Sequence, residues 1–280
     1  MKNRSVFLSF CALSFLATGC GGNSSTDVIT IGMECNYAPF NWTAATSSDY
    51  TLPIYNEAGK YADGYDIQFA KRLSKELNKE VRIMKIEWEA LIINLNNKTI
   101  DAVIAGMTDT EERRQSISFT NEYYRSEVVL VTQKSVADTY ENKTLGKDEL
   151  STLLNGKNIL SQLGTVTDSM IDNFVTDYNC IHSTAVDTFA TAANNVDNTA
   201  AFAMTAELPV AQSIIKTHSN LGIIHMQQDI LGVDSSELGV SVGVRKDDTE
   251  LANQINSVLN NYTTADRNAD MIAAVERSGE

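Results

Sequence analysis

The stretch "AGMTDTEERRQSISFT", residues 105–120, decides how the chain is read. The apolar run "IDAVIAG" (100–106) ends in small residues. It passes directly into Thr108, Thr110 and four consecutive charges at 111–114. A short apolar run bounded in this way reads as a buried strand, and residues 110–116 read as the start of a helix. Where a strand's carboxyl end meets a helix N-terminus, backbone N–H groups and the helix dipole favour an anion. A solvated charge run is the plainer alternative for 111–114, and the segment alone does not choose between the two.

The same alternation extends in both directions. Apolar runs at 28–33, 81–86, 127–134, 158–163, 200–204 and 238–245 read as strands. Helical spacing marks 63–79, 89–97, 167–178, 187–195, 207–218 and 251–262. In the first of these helices Ile67, Ala70, Leu73 and Leu77 share a face, with Lys, Arg and Glu on the other. Pro209 falls in the first turn of its helix, where its missing N–H costs little. This pattern predicts an α/β fold of parallel sheets flanked by helices. Ligands of such sheets bind beyond the carboxyl ends of the strands.

Composition narrows the function. The chain has 280 residues, 43% hydrophobic and 21% charged, which suits one large or two small soluble domains. The net charge is −14 and no basic patch offsets it, so no nucleic-acid partner is expected. The histidines at 182, 218 and 225 are isolated, and no Cys/His cluster has metal-ligand spacing; no metal and no cofactor are expected.

The first residues read as a processing signal. Lys2 and Arg4 precede the apolar "SVFLSFCALSFLA" (5–17), which is too short to span a membrane comfortably. "LATGC" (16–20) resembles the bacterial lipoprotein signal, with Ala17 where that motif usually has Leu. The resemblance implies a signal peptide at 1–19, a lipidated Cys20 and a polar tether over 20–27. An ordinary secretory signal is the alternative.

Six blocks, in order, resemble the family 3 extracellular solute-binding proteins. They are "IGMECNYAPFNW" (31–42), "GYDIQFAKRLSKEL" (64–77), "WEALIINLNNKTIDAVIAGMTDTEERRQSISFTNEYY" (88–124), "SQLGT" (161–165), "AELPVA" (206–211) and "GVSVGVRKDDTEL" (239–251). The resemblance implies a two-lobed, type II periplasmic-binding fold. Each lobe would be a mostly parallel sheet flanked by helices, with the ligand cleft between the lobes. Lobe 1 would hold 27–124 plus 240–280, and lobe 2 would hold 128–235. The crossings would fall near 124–128 and 234–239. Cys35 and Cys180 would lie in different lobes, so no disulfide between them is expected.

The implied function is capture of a free amino acid outside the cytoplasmic membrane and delivery to an ABC permease and its ATPase. A monomer anchored by its lipid is expected. An amino acid needs donors for its carboxylate and acceptors for its ammonium. Arg113 is the expected carboxylate clamp, since its planar fork gives two parallel charge-assisted bonds. Thr108 adds a hydroxyl and a backbone N–H, Gly106 permits close backbone approach, and the N–H groups of Thr165 and Val166 join from lobe 2. Glu207 would take the ammonium, standing where many members have Asp. Tyr37 and Trp88 would sandwich the ligand side chain, whereas Phe40 and Trp42 read as core. Glu34 and Gln162 would read that side chain, which favours a basic or amide-bearing ligand, because an acidic one would be repelled.

The insertion 43–62 is a candidate for a hairpin over the cleft entrance. Two rivals use the same fold: a cyclohexadienyl-dehydratase-like enzyme, with Glu34 and Glu207 as acid and base, and a sensory lipoprotein that binds an amino acid without transport. No further constellation supports catalysis, and the expectation is a protein that is not an enzyme.

Overall fold

The computed structural model describes residues 27–234 and 238–279. The leader, Cys20 and most of the tether lie outside the described residues, as does the middle of the second expected crossing. Two large sheets organise the rest. The first runs, in spatial order, Glu80–Lys85, Val28–Met33, Ala102–Val103, Gly239–Val244, Ser118–Arg125. The second runs Thr144–Leu145, Leu221–Met226, Val128–Gln133, Ala203–Glu207, Asn158–Leu160, Ile181–His182.

Within each sheet the strands followed by helices pair in parallel: Val28–Met33 with Glu80–Lys85 and Ala102–Val103, and Asn158–Leu160 with Ala203–Glu207. One strand in each sheet runs against its neighbours on both sides. In the first it is Gly239–Val244, and in the second it is Val128–Gln133. These are the strands that arrive from the other sheet. Val128–Gln133 follows Ser118–Arg125 after two residues, so that crossing passes between the sheets with no helix in it.

Val128–Gln133 shows why a continuous apolar run was needed there. Val129 and Val131 pack into the core cluster shared with the first sheet, while Val128 and Leu130 pack into a separate cluster with Ile159, Phe174 and Met226. A strand covered on both faces cannot alternate polar with apolar. Cys35 belongs to the first cluster and Cys180 to the second, and both thiols are free and buried.

Element boundaries differ from the periodicity in instructive places. The strand expected over 100–106 is regular only at Ala102–Val103, because its last residues already turn toward the cleft. The helix expected over 110–116 is a single turn, Glu111–Arg114, capped by the Thr110 hydroxyl accepting from Arg113 N–H. The strand expected at 200–204 sits at Ala203–Glu207, which carries Glu207 to the strand's carboxyl end. The insertion 43–62 does not cover the cleft. It joins a small sheet with Asn36–Tyr37 and lies along the helix Tyr65–Leu77, where Gln68 and Lys71 donate to the carbonyls of Tyr50 and Asp49.

Candidate functional site

All ten residues singled out from the sequence line one cavity, together with Phe189. The topology explains how distant segments meet. Glu34 and Tyr37 follow the strand Val28–Met33, Trp88 opens the turn after Glu80–Lys85, and Gly106, Thr108 and Arg113 follow Ala102–Val103. From the second sheet, Gln162, Thr165 and Val166 follow Asn158–Leu160, and Glu207 ends Ala203–Glu207. Every contributor but Phe189 lies at the carboxyl end of a strand. Phe189 begins the helix Phe189–Asp197. An aromatic at a helix start carries no motif, and only the carboxyl-end position of the loop before it could have pointed to the cavity.

One part of the cavity is rich in donors. Arg113 reaches across from the first sheet's side. Its Nη1 donates to the Thr108 carbonyl at 2.8 Å and its Nη2 to the Gly164 carbonyl at 2.9 Å. The guanidinium lies over Trp88, 5.2 Å from the ring centre. Trp88 Nε1 donates to the same Gly164 carbonyl at 3.2 Å. Gly164 has φ +71°, a left-handed conformation that favours glycine at this turn. Thr165 caps the 13-residue helix Val166–Tyr178 and its hydroxyl is engaged with Gln162 O and Asp168 N–H. Its contribution to the cavity is therefore the helix N-terminus rather than its side chain.

Two carboxylates face the same space. Glu34 is 4% exposed, and Gln162 Nε2 donates to its two oxygens at 3.2 and 3.1 Å. Burial pushes its pKa up to about 7, with the Gln162 bonds opposing. Glu207 accepts from the Tyr37 hydroxyl at 2.6 Å, and burial raises its pKa too, against that hydrogen bond. Tyr37 stacks between Phe189 and Phe40, with ring centres 4.9 and 5.1 Å away. Phe40 itself packs edge-on against Tyr65 and Tyr124, and Trp42 rests on the core, as both were read.

Residues 29–273 match the bacterial extracellular solute-binding proteins, family 3. This chain belongs to that family. Among its relatives, ABC transporter arginine-binding protein 1 of Escherichia coli (strain K12) is 26% identical over 246 residues, 88% of this chain and 89% of that one. The arginine-binding extracellular protein ArtP of Bacillus subtilis (strain 168) is 26% identical over 260 residues, 92% of each. In structure, the chain is similar to the amino acid ABC transporter substrate-binding protein AbpA of Streptococcus pneumoniae Canada MDR_19A bound to L-arginine. The TM-score is 0.73 with 19% identity, covering 91% of this chain and 98% of that one, a likeness of fold. The fold is the two-lobed type II periplasmic-binding architecture.

In this family 3 protein the lobes are closed on each other. Gln162 bonds Glu34, Tyr37 bonds Glu207, and Trp88 and Arg113 both bond Gly164, so three sets of contacts cross the cleft. Beside the Arg113–Gly164 contact the cleft opens into a wider groove bordered by Glu89, Glu112 and Asp168.

Proposed function

We propose that this protein captures a free L-amino acid with a cationic side chain, arginine first among them, and delivers it to an ABC import permease. The observation that carries the reading is the pairing of opposite chemistries in one cavity. Arg113, Thr108 and the Val166 helix N-terminus suit a carboxylate, and Glu207 suits an ammonium. Glu34 with Gln162, walled by Tyr37, Trp88 and Phe189, suits a flat cation. The arginine-binding relatives support the same choice. Lobe 1 is 27–124 with 240–280 and lobe 2 is 128–235. Closure is selected because the cross-cleft groups reach a ligand only when the lobes meet. No step of chemistry is needed, and the relatives are named as binding proteins.

The test is calorimetric titration of protein unfolded and refolded to strip carried-over ligand, against the twenty amino acids plus ornithine. Arginine should bind tightest, and aspartate and glutamate should give no heat. Saturable binding of an acidic amino acid in preference to arginine would overturn the assignment of Glu34, and no binding at all would overturn the receptor. Cys20 is proposed as the lipid anchor that keeps the receptor beside its permease. Cys20→Ser should move the protein from the membrane fraction to the soluble extracytoplasmic one, and unchanged fractionation would remove the anchor.

A further inference from the structure

Behind the cavity wall runs a chain of polar groups that is shut away from solvent. At its centre is Asp66, in the first turn of the helix Tyr65–Leu77 and fully buried. Asp66 Oδ1 accepts from the Tyr123 hydroxyl at 2.7 Å, and Oδ2 accepts from Asn41 Nδ2 at 2.7 Å. Each partner holds a second bond. The Tyr123 hydroxyl accepts from Gly106 N–H at 2.9 Å, and Asn41 Oδ1 accepts from Cys35 N–H at 2.7 Å.

The two backbone groups at the ends of this chain belong to the two loops that build lobe 1's share of the cavity. Gly106 lines it directly, and Cys35 stands between Glu34 and Tyr37. Both have left-handed backbones, with φ +61° at Gly106 and +53° at Cys35. For cysteine that conformation is costly and persists only where its surroundings hold it. At Gly106 a Cβ would fall 2.7 Å from the Tyr37 ring, so the turn is pressed against the loop it is tied to.

A carboxylate with two neutral partners and no exposure is an expensive way to fill a core. Burial raises its pKa to about 7, opposed by its two hydrogen bonds. A residue serving only its own helix would bond that helix's N–H groups. Asp66 instead bonds side chains from two other elements, and each passes the constraint to a cavity loop.

We propose that Asp66 is a positioning residue for ligand binding. Acting through Tyr123 and Asn41, it fixes the Gly106 turn relative to the loop that carries Glu34 and Tyr37. The inference rests on the amino-acid reading of this cavity. It is tested by titrating L-arginine at 25 °C into the unaltered protein, Asp66→Asn and Tyr123→Phe, with melting temperatures measured alongside. Each variant should bind about 10- to 100-fold more weakly, as expected where a buried partner is lost and a site loosens. The double variant should be little worse than the weaker single one, since both break one chain.

A purely structural role would lower the melting temperature and leave affinity within about twofold at 25 °C, where the variants are folded; that result overturns the proposal. Should Asp66→Asn fail to fold, Tyr123→Phe, which removes one hydroxyl and keeps the ring, decides by the same criterion. If the unaltered protein binds no amino acid, the functional reading falls and takes this inference with it. If it binds and the variants match it, this inference falls alone.

Discussion

Arg113→Ala should weaken capture of arginine by roughly 30-fold or more while the protein stays folded. Its guanidinium joins the Thr108 carbonyl of one lobe to the Gly164 carbonyl of the other and lies on the Trp88 face. In the proposed complex the same fork meets the ligand's carboxylate. Removing one partner of a desolvated charge pair costs about 2–5 kcal/mol, a loss of affinity of roughly 30-fold or more. The cost to folding is far smaller. Arg113 is only half-buried and the Thr108 and Gly164 carbonyls it meets are neutral, so losing those bonds should lower stability by about 1 kcal/mol. Arg113→Lys should lie between, because a lysine restores charge without the planar fork. Calorimetry gives the affinity and thermal melting gives the fold. Full affinity in Arg113→Ala would remove the carboxylate assignment.

Most of the cavity was legible because each contributor but Phe189 follows a short apolar run. A strand buried on both faces leaves a strong signal, and the polar residues just beyond its carboxyl end are few. What escaped the reading has physical causes. Ser118–Arg125 pairs with Gly239–Val244, yet in its polar run, "SFTNEYYR", only Thr120 and Tyr123 are buried, three residues apart, so it matches no strand template cleanly. The helix Thr264–Arg277 buries only Met271 and Ala274, too little to stand out by spacing. Phe189 looks like any core aromatic until the second sheet brings it against Tyr37. In the sequence Asp66 is one acid near the start of the helix expected over 63–79, which is where a helix dipole would want one. Only the contacts with Tyr123 and Asn41 show that its bonds lead elsewhere.

Glu34→Gln should cost arginine affinity and, at the same time, remove a pH dependence that the unaltered protein has. The Glu34 pKa rises from 4.5 to about 7, chiefly because burial penalises the charged form. Between those values the folded protein holds a proton that the unfolded chain has released. Glu34's contribution to stability is therefore complete below about pH 4.5 and is lost as pH rises through 7, amounting to on the order of 3 kcal/mol at pH 8. A neutral amide escapes that loss, so ligand-free Glu34→Gln should melt higher than the unaltered protein at pH 8 and about equally at pH 4.5. Asp66, also raised to about 7, adds a slope of the same sign to both proteins, and the difference between them isolates Glu34. A cationic ligand reverses the balance, because it favours the charged carboxylate. Arginine binding at pH 6 should release close to one proton, seen as a heat that varies with the buffer's ionisation enthalpy, and at pH 8 almost none. Affinity should rise with pH up to about 7 and then level off, whereas in Glu34→Gln it should be at least about 30-fold lower at pH 8 and should rise less with pH, keeping only the dependence that Glu207, whose pKa is also raised, gives to both proteins. Identical pH profiles in the two proteins would show that the ligand's cation sits away from Glu34, and the basic-ligand specificity would then need another acceptor in the cavity.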